Sequence, residues 1–176
     1  MLQEYFDYVP QALLIFQHLE DALRQYLMRC EVMTAARLHG ITQYKYKQSL
    51  KEIENLSLGR LVDRFARLNG NTDLIMRIKD AGKDRNFIAH QSYLAAYKKD
   101  GEPREESDIK ALYDRAVTGK EKAEKCLLDT WDEIEQLERK FVEAQRRNLD
   151  QTDRQRRRKC LQSTEKINHN FGGKKI

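Results

Sequence analysis

The chain has 176 residues, of which 40% are hydrophobic and 35% charged, and its mean hydropathy is −0.83. That length fits one domain, or one domain with an appendage, because domains centre on roughly 150 residues; no window approaches the about 20 apolar residues that a membrane-spanning helix needs. With 2 Pro and 8 Gly, turn-dense sandwiches and barrels are disfavoured.

Three cysteines, Cys30, Cys126 and Cys160, are odd in number and far apart. They fit neither a disulfide framework nor a zinc spacing, so a reducing cytoplasm is the expected compartment. The start MLQEYFDYVP has no basic stretch followed by an apolar one, and no secretory signal is expected there. The formal charge of +5 is unevenly spread. From Arg146 to Ile176 there are 10 bases and 3 acids, a net +7, which leaves −2 for the rest. A near-neutral body with a cationic C-terminal arm is a different object from a uniformly basic domain.

Apolar residues recur near a period of 3.6 through most of the chain, so an all-α fold is expected: a four- or five-helix bundle with a long C-terminal helix. The first helix is expected to begin near Pro10, a residue welcome in a first turn. Its stripe is Leu13, Phe16, Leu19, Leu23, Tyr26/Leu27 and Cys30, continuing toward Leu38 before Gly40. A more polar helical stretch holds Tyr46, Leu50 and Ile53. Ser57 reads as an N-cap for Leu58, Leu61, Val62, Phe65 and Leu68, with Asn69-Gly70 as the stop. Thr72 restarts the pattern at Leu74, Ile75 and Ile78; it either passes through Gly82 to Tyr97 or breaks near Asp84. KKDGEPREES, from Lys98 to Ser107, is a polar loop.

The longest stripe follows, from Ile109 through Leu112, Ala116, Ala123, Leu127, Trp131 and Ile134 to Leu137 and Phe141. As one helix, residues 109–145 measure about 55 Å, against a body about 40 Å across. Either Thr118-Gly119 bends this helix or part of its stripe packs on a second subunit. Met28, Met33 and Met76 are expected as core filler, and Trp131 in the bundle or a dimer seam. The domain is therefore set at residues 1–147. Residues 148–176 are expected to form a disordered basic arm, in which Arg156, Arg157, Arg158 and Lys159 could neutralise nucleic-acid phosphates.

No two of the four histidines share a metal-ligand spacing with each other or with a cysteine, so no metal and no cofactor is expected. His18 reads as a surface residue, His39 as a helix-end cap, and His169 falls in the arm. What remains is Arg85-Asn86-Phe87-Ile88-Ala89-His90. It joins a permanent cation, an amide and an imidazole within one and a half helical turns. Arginine can clamp a phosphate bidentately and histidine can move a proton at neutral pH. Together they suffice to cleave RNA through its own 2′-hydroxyl: a base takes the hydroxyl proton, the cation stabilises the phosphorane, and an acid protonates the leaving 5′-oxygen.

At about 100° per residue, Asn86, His90, Tyr93 and Tyr97 fall on one stripe, which Lys79 and Gly82 join if the helix is continuous. Arg85 lies about 140° from His90. The two meet only if Arg85 sits at a helix start or if the groups converge across a symmetric dimer. Tyr93, Tyr97 and Lys83 are candidate substrate or regulatory contacts. Seventeen arginines and four histidines give about one such pair by chance, so the flanking residues carry the signal.

The segment RNFIAH resembles the Arg-Asn-apolar-apolar-Ala-His form of the Rx4–6H motif of HEPN-domain proteins (higher eukaryote and prokaryote nucleotide-binding). LSLGRLVDRF upstream and the long C-terminal amphipathic helix are similar to that all-α family as well, over roughly residues 10–147. The resemblance implies a helical bundle, a homodimer with two facing motifs, and metal-independent endoribonuclease activity in a toxin or an abortive anti-phage effector, with a cognate antitoxin or regulator as a further partner. On it, His90 is the acid/base residue, Arg85 the phosphate ligand and Asn86 the polar helper. Two residues after the histidine, where one toxin branch carries a tyrosine that receives nucleotide, this chain has Ser92; its nearest tyrosine is Tyr93. Two other readings stay open: a HEPN-like module that only dimerises or docks, and a nucleic-acid-binding helical protein that works through its arm.

Overall fold

The computed structural model describes residues 1–39 and 42–171, with side chains described as far as Arg147. Its helices are α1 (Leu2–Leu38), α2 (Tyr46–Glu54), α3 (Leu58–Leu68), α4 (Thr72–His90), the single turn α5 (Ser92–Ala95) and α6 (Glu106–Phe171). No strand occurs among the described residues; one isolated antiparallel bridge joins Tyr97 to Pro103. The fold is all-α.

α1 starts at Leu2 rather than near Pro10, because Tyr5 and Val9 carry the buried stripe two further turns upstream of Ala12, Phe16, Leu19 and Leu23. Pro10 lies inside the helix on its exposed side. There its missing N–H leaves the carbonyl of Phe6 without an i→i−4 partner. α2 and α3 fall where the apolar spacing puts them, although the hydroxyl of Ser57 makes no cap bond. α1 packs on α2, α3 and α4, and α3 on α4. A buried core of Phe16, Leu23, Phe65, Leu74, Ile78 and Ile88 fills the space between them.

The turn between α3 and α4 is a polar clasp. Asn69, 8% exposed, donates to the Tyr26 hydroxyl at 3.3 Å and to Glu133 at 2.9 Å, and accepts from the Asn71 amide at 2.7 Å. Asn71 caps α4 by accepting from the Leu74 amide at 3.1 Å and also holds Glu133 at 2.8 Å.

α6 runs without interruption through Thr118-Gly119, so those residues do not bend it into two helices. Gly119 serves packing instead. A Cβ there would stand 3.0 Å from the Asp84 Cβ and 3.3 Å from the Ile88 Cδ1, so the missing side chain is what lets α6 approach α4. Beyond Gly119 the seam is laced with ion pairs: Lys122 with Asp80 (2.9 Å) and Asp84 (3.1 Å), and Arg77 with Asp129 (2.6 Å). One apolar expectation needs correction: Met76 is 63% exposed, while Met28 and Met33 are half-buried. Trp131 is 42% exposed in the single chain.

The chain divides into two compact units, Met1–Ile134 and Glu135–Ile176. The second is the continuation of α6, with Arg147 3.8 Å from Glu143. Its backbone stays helical to Phe171, across a stretch that has neither Gly nor Pro. The basic arm and its Arg156, Arg157, Arg158 and Lys159 side chains, like His169, lie outside the described side chains, and residues 172–176 lie outside the described residues, as do Gly40 and Ile41.

Candidate functional site

α4 carries the whole Arg85–His90 segment. It passes straight through Gly82 and stops at His90, where Gln91 takes φ −123 and ψ −19. Just past the stop, Ser92, 1% exposed, donates its hydroxyl at 2.6 Å to the Ile88 carbonyl, one turn back along α4. The Ser92 carbonyl in turn accepts from the Tyr5 hydroxyl at 3.1 Å. Burial raises the Tyr5 phenol above its ordinary pKa, which keeps it a donor. Ser92 is thus an interior strut.

Each side chain of the segment has its own direction. Arg85 turns to α1, where its Nη2 lies 3.3 Å from Glu20 Oε1. Phe87 lies under the Arg115 guanidinium, 3.6 Å from ring centroid to Cζ, and Ile88 is buried beside Gly119. Asn86, Ala89 and His90 are exposed. Asn86 and His90, one turn apart and about 40° around the axis, share a face and have no hydrogen-bond partner among the described residues. On that face Asn86 borders a groove of about 230 Å³ between α3 and α4, with Gly59, Asp63, Lys79, Gly82 and Lys83. Lys79 stands 3.9 Å from Asp63 across it, and Lys83 pairs with Asp80 at 3.3 Å.

Arg85 and His90 are not brought together within one chain. Both lie on a continuous helix, so their angular separation of about 140° holds, and Arg85 is not at a helix start. The Tyr93–Tyr97 extension of the stripe is also corrected, because the turn at Gln91 redirects the chain. Tyr93 stacks on Phe6 of α1, 4.9 Å between centroids at 19°, and Tyr97 stacks on the same ring at 6.1 Å and 23°.

Glu20 is the residue the sequence reading missed. It is 9% exposed and lies between two guanidinium groups, with Arg24 Nη2 also at 3.3 Å. Arg24 reaches Asp21 at 2.8 Å and the Leu56 carbonyl at 3.2 Å, while its buried Nε has no partner among the described residues. The signal was present: Glu20 follows Phe16 by four residues, which puts a carboxylate on the apolar stripe. A buried acid is retained where cations hold it.

His18 is exposed, and His39 stands at the C-cap of α1. Among the described residues no group of three or more His, Cys, Asp or Glu side chains is arranged to hold a metal ion, and no helix is long and apolar enough to cross a membrane. Comparison with known proteins returns no matching family model, no matching curated protein and no matching solved structure.

Proposed function

We propose that this chain is a metal-independent endoribonuclease of HEPN type, a cytoplasmic toxin or abortive anti-phage effector whose active site is completed by a second copy of the chain. The observation that carries this reading is the exposed, unpartnered pair of Asn86 and His90 at the end of α4, within a segment whose Arg85, Phe87 and Ile88 are anchored to α1, to α6 and to the core. An imidazole held on a rigid helix and open to solvent is suited to proton transfer at neutral pH. In the proposed reaction His90 removes the 2′-hydroxyl proton or protonates the 5′-oxygen, Asn86 orients the phosphate, and an arginine balances the charge that develops on it. Cleavage leaves a 2′,3′-cyclic phosphate and a 5′-hydroxyl.

Pairing supplies what one chain lacks. Arg85 and His90 diverge on one helix, so an arginine reaches the same phosphate as His90 from a partner subunit. Leu94, 78% exposed and four residues past His90, is the large apolar side chain that such a partner would cover.

The test is an RNase assay on wild type and His90→Ala, with and without EDTA, together with sedimentation. The expected result is EDTA-resistant cleavage by a dimer, reduced about 10²–10⁴-fold by the substitution. Cleavage that survives both His90→Ala and Arg85→Ala would defeat the proposal.

One observation favours a second reading, in which the chain is a catalytically silent HEPN-like docking module. The Arg85 guanidinium already has a partner in Glu20, which gives it a structural use. Folded dimer without RNase activity at high concentration would support that reading.

A further inference from the structure

We propose that the rings of Phe6, Tyr93 and Tyr97 form a nucleobase-stacking platform beside His90 and that its ligand is single-stranded RNA. The ligand's identity rests on the ribonuclease reading above; the platform itself rests on ring geometry.

Three aromatic rings from two distant segments lie nearly parallel, with 19° and 23° between the planes of Phe6 and those of Tyr93 and Tyr97. A stack that served only to fasten α5 to α1 would be covered, yet Tyr93 is 52% and Tyr97 38% exposed. The fastening is done elsewhere, by the fully buried Tyr5 through its hydroxyl on the Ser92 carbonyl. Since one face of Tyr93 rests on Phe6, its exposure belongs to the rest of the ring and its hydroxyl. An open ring face already backed by another ring is what a base stacks on.

Position and charge narrow the ligand. His90 and Tyr93 are three residues apart, so their Cα atoms are at most about 11 Å from each other. Lys98 and Lys99 follow Tyr97 directly, are exposed, and make no ion pair among the described residues. They can meet backbone phosphates on either side of a stacked base. Asp100 and Glu102 come next in the chain, so the loop as a whole is not cationic and stacking carries the contact. In a duplex the base faces are covered by their neighbours, which leaves a single strand as the ligand.

The test uses the full-length chain and a non-cleavable 2′-O-methyl oligouridylate with one 2-aminopurine, whose fluorescence falls on stacking against an aromatic ring. Wild type should quench the probe. Tyr93→Leu and Tyr97→Leu, each with wild-type thermal unfolding, should bind about tenfold or more weakly and lose the quenching, because stacking contributes about that factor per base. Tyr93→Phe should keep both, and a duplex of the same length should not compete. Unchanged affinity and quenching in both leucine variants overturns the platform, as does equal competition by the duplex. Should either leucine variant unfold, the other decides. Tyrosine-dependent quenching in a protein that cuts no RNA would uphold the platform and remove only the catalytic reading; cleavage without quenching would do the reverse.

Discussion

Arg85 of α4 and Glu20 of α1 are joined by an ion pair of 3.3 Å, and Arg24 holds the same carboxylate from the other side at 3.3 Å. One buried acid thus serves two cations, and the motif arginine is one of them.

This arrangement predicts unequal costs. Glu20→Ala leaves the Arg85 guanidinium without its acid and Arg24 with Asp21 alone, and since the two side chains keep 30% and 21% exposure the loss is expected at about 2 kcal/mol, below that of a fully buried pair. Arg85→Ala leaves Arg24 in place and should cost under about 1 kcal/mol. Urea denaturation of the two variants measures both. If Arg85 also acts on phosphate, its removal lowers the cleavage rate while folded Glu20→Gln retains it; equal rates for the two variants contradict that role.

Leu94→Glu puts a charge into the face proposed to meet a second subunit. Because Leu94 is 78% exposed in the single chain, the monomer should lose less than about 0.5 kcal/mol. Sedimentation should show dissociation and the RNase assay a parallel loss. A dimer that is intact in this variant moves the interface elsewhere.

Gly119 and Gly59 make a controlled pair. Alanine at 119 gains about 1 kcal/mol of helix propensity, but its Cβ would lie 3.0 Å from the Asp84 Cβ and 3.3 Å from the Ile88 Cδ1, an overpacking that costs about 1–3 kcal/mol. Net destabilisation is expected. Gly59 has nothing within 4 Å of such a Cβ, so Gly59→Ala should stabilise by about 0.5–1 kcal/mol. Chemical denaturation of both reads the difference in sign.

Burial pushes the Tyr26 phenol from 10.0 up to about 12 and, with Glu31 nearby, the Cys30 thiol from 9.0 up to about 11. Both groups hold their protons more tightly folded than unfolded, so the stability tied to them is complete below pH 9 and drains away as pH rises to 12. Thermal unfolding followed across that range should fall progressively, and Tyr26→Phe should flatten its upper part. At pH 8 the Cys30 thiol should react slowly with iodoacetamide while the chain is folded.

Several helices were legible because periodicity is a local property: the stripes of α2 and α3, the Asn69-Gly70 stop and the restart at Thr72 follow from the order of residues alone. The end of α4 was not: the Tyr5 hydroxyl that holds the Ser92 carbonyl just beyond it lies 87 residues away in sequence. Thr118-Gly119 misled for a related reason. Glycine in a helix reads as a break unless the partner that fills its place is known, and that partner, Asp84, lies on another helix. In the site, Asn86 and His90 were found by spacing and stand exposed on one face. The use of Arg85 was hidden because Glu20 is 65 residues away, although a carboxylate on the α1 stripe was there to be questioned. Phe6 escaped notice because the first helix was expected to start after it.

Pro10 gives that first turn a further property. The carbonyl its ring leaves over belongs to Phe6, so the ring at the heart of the aromatic stack hangs from the one place where the ladder of α1 lacks a rung. Opening of the N-terminal turns should therefore begin there at a lower free energy than in the rest of the helix. In amide exchange, occupancy of the stack by a nucleotide would be read as slowed exchange at the amides of residues 5–9, far along the chain from His90.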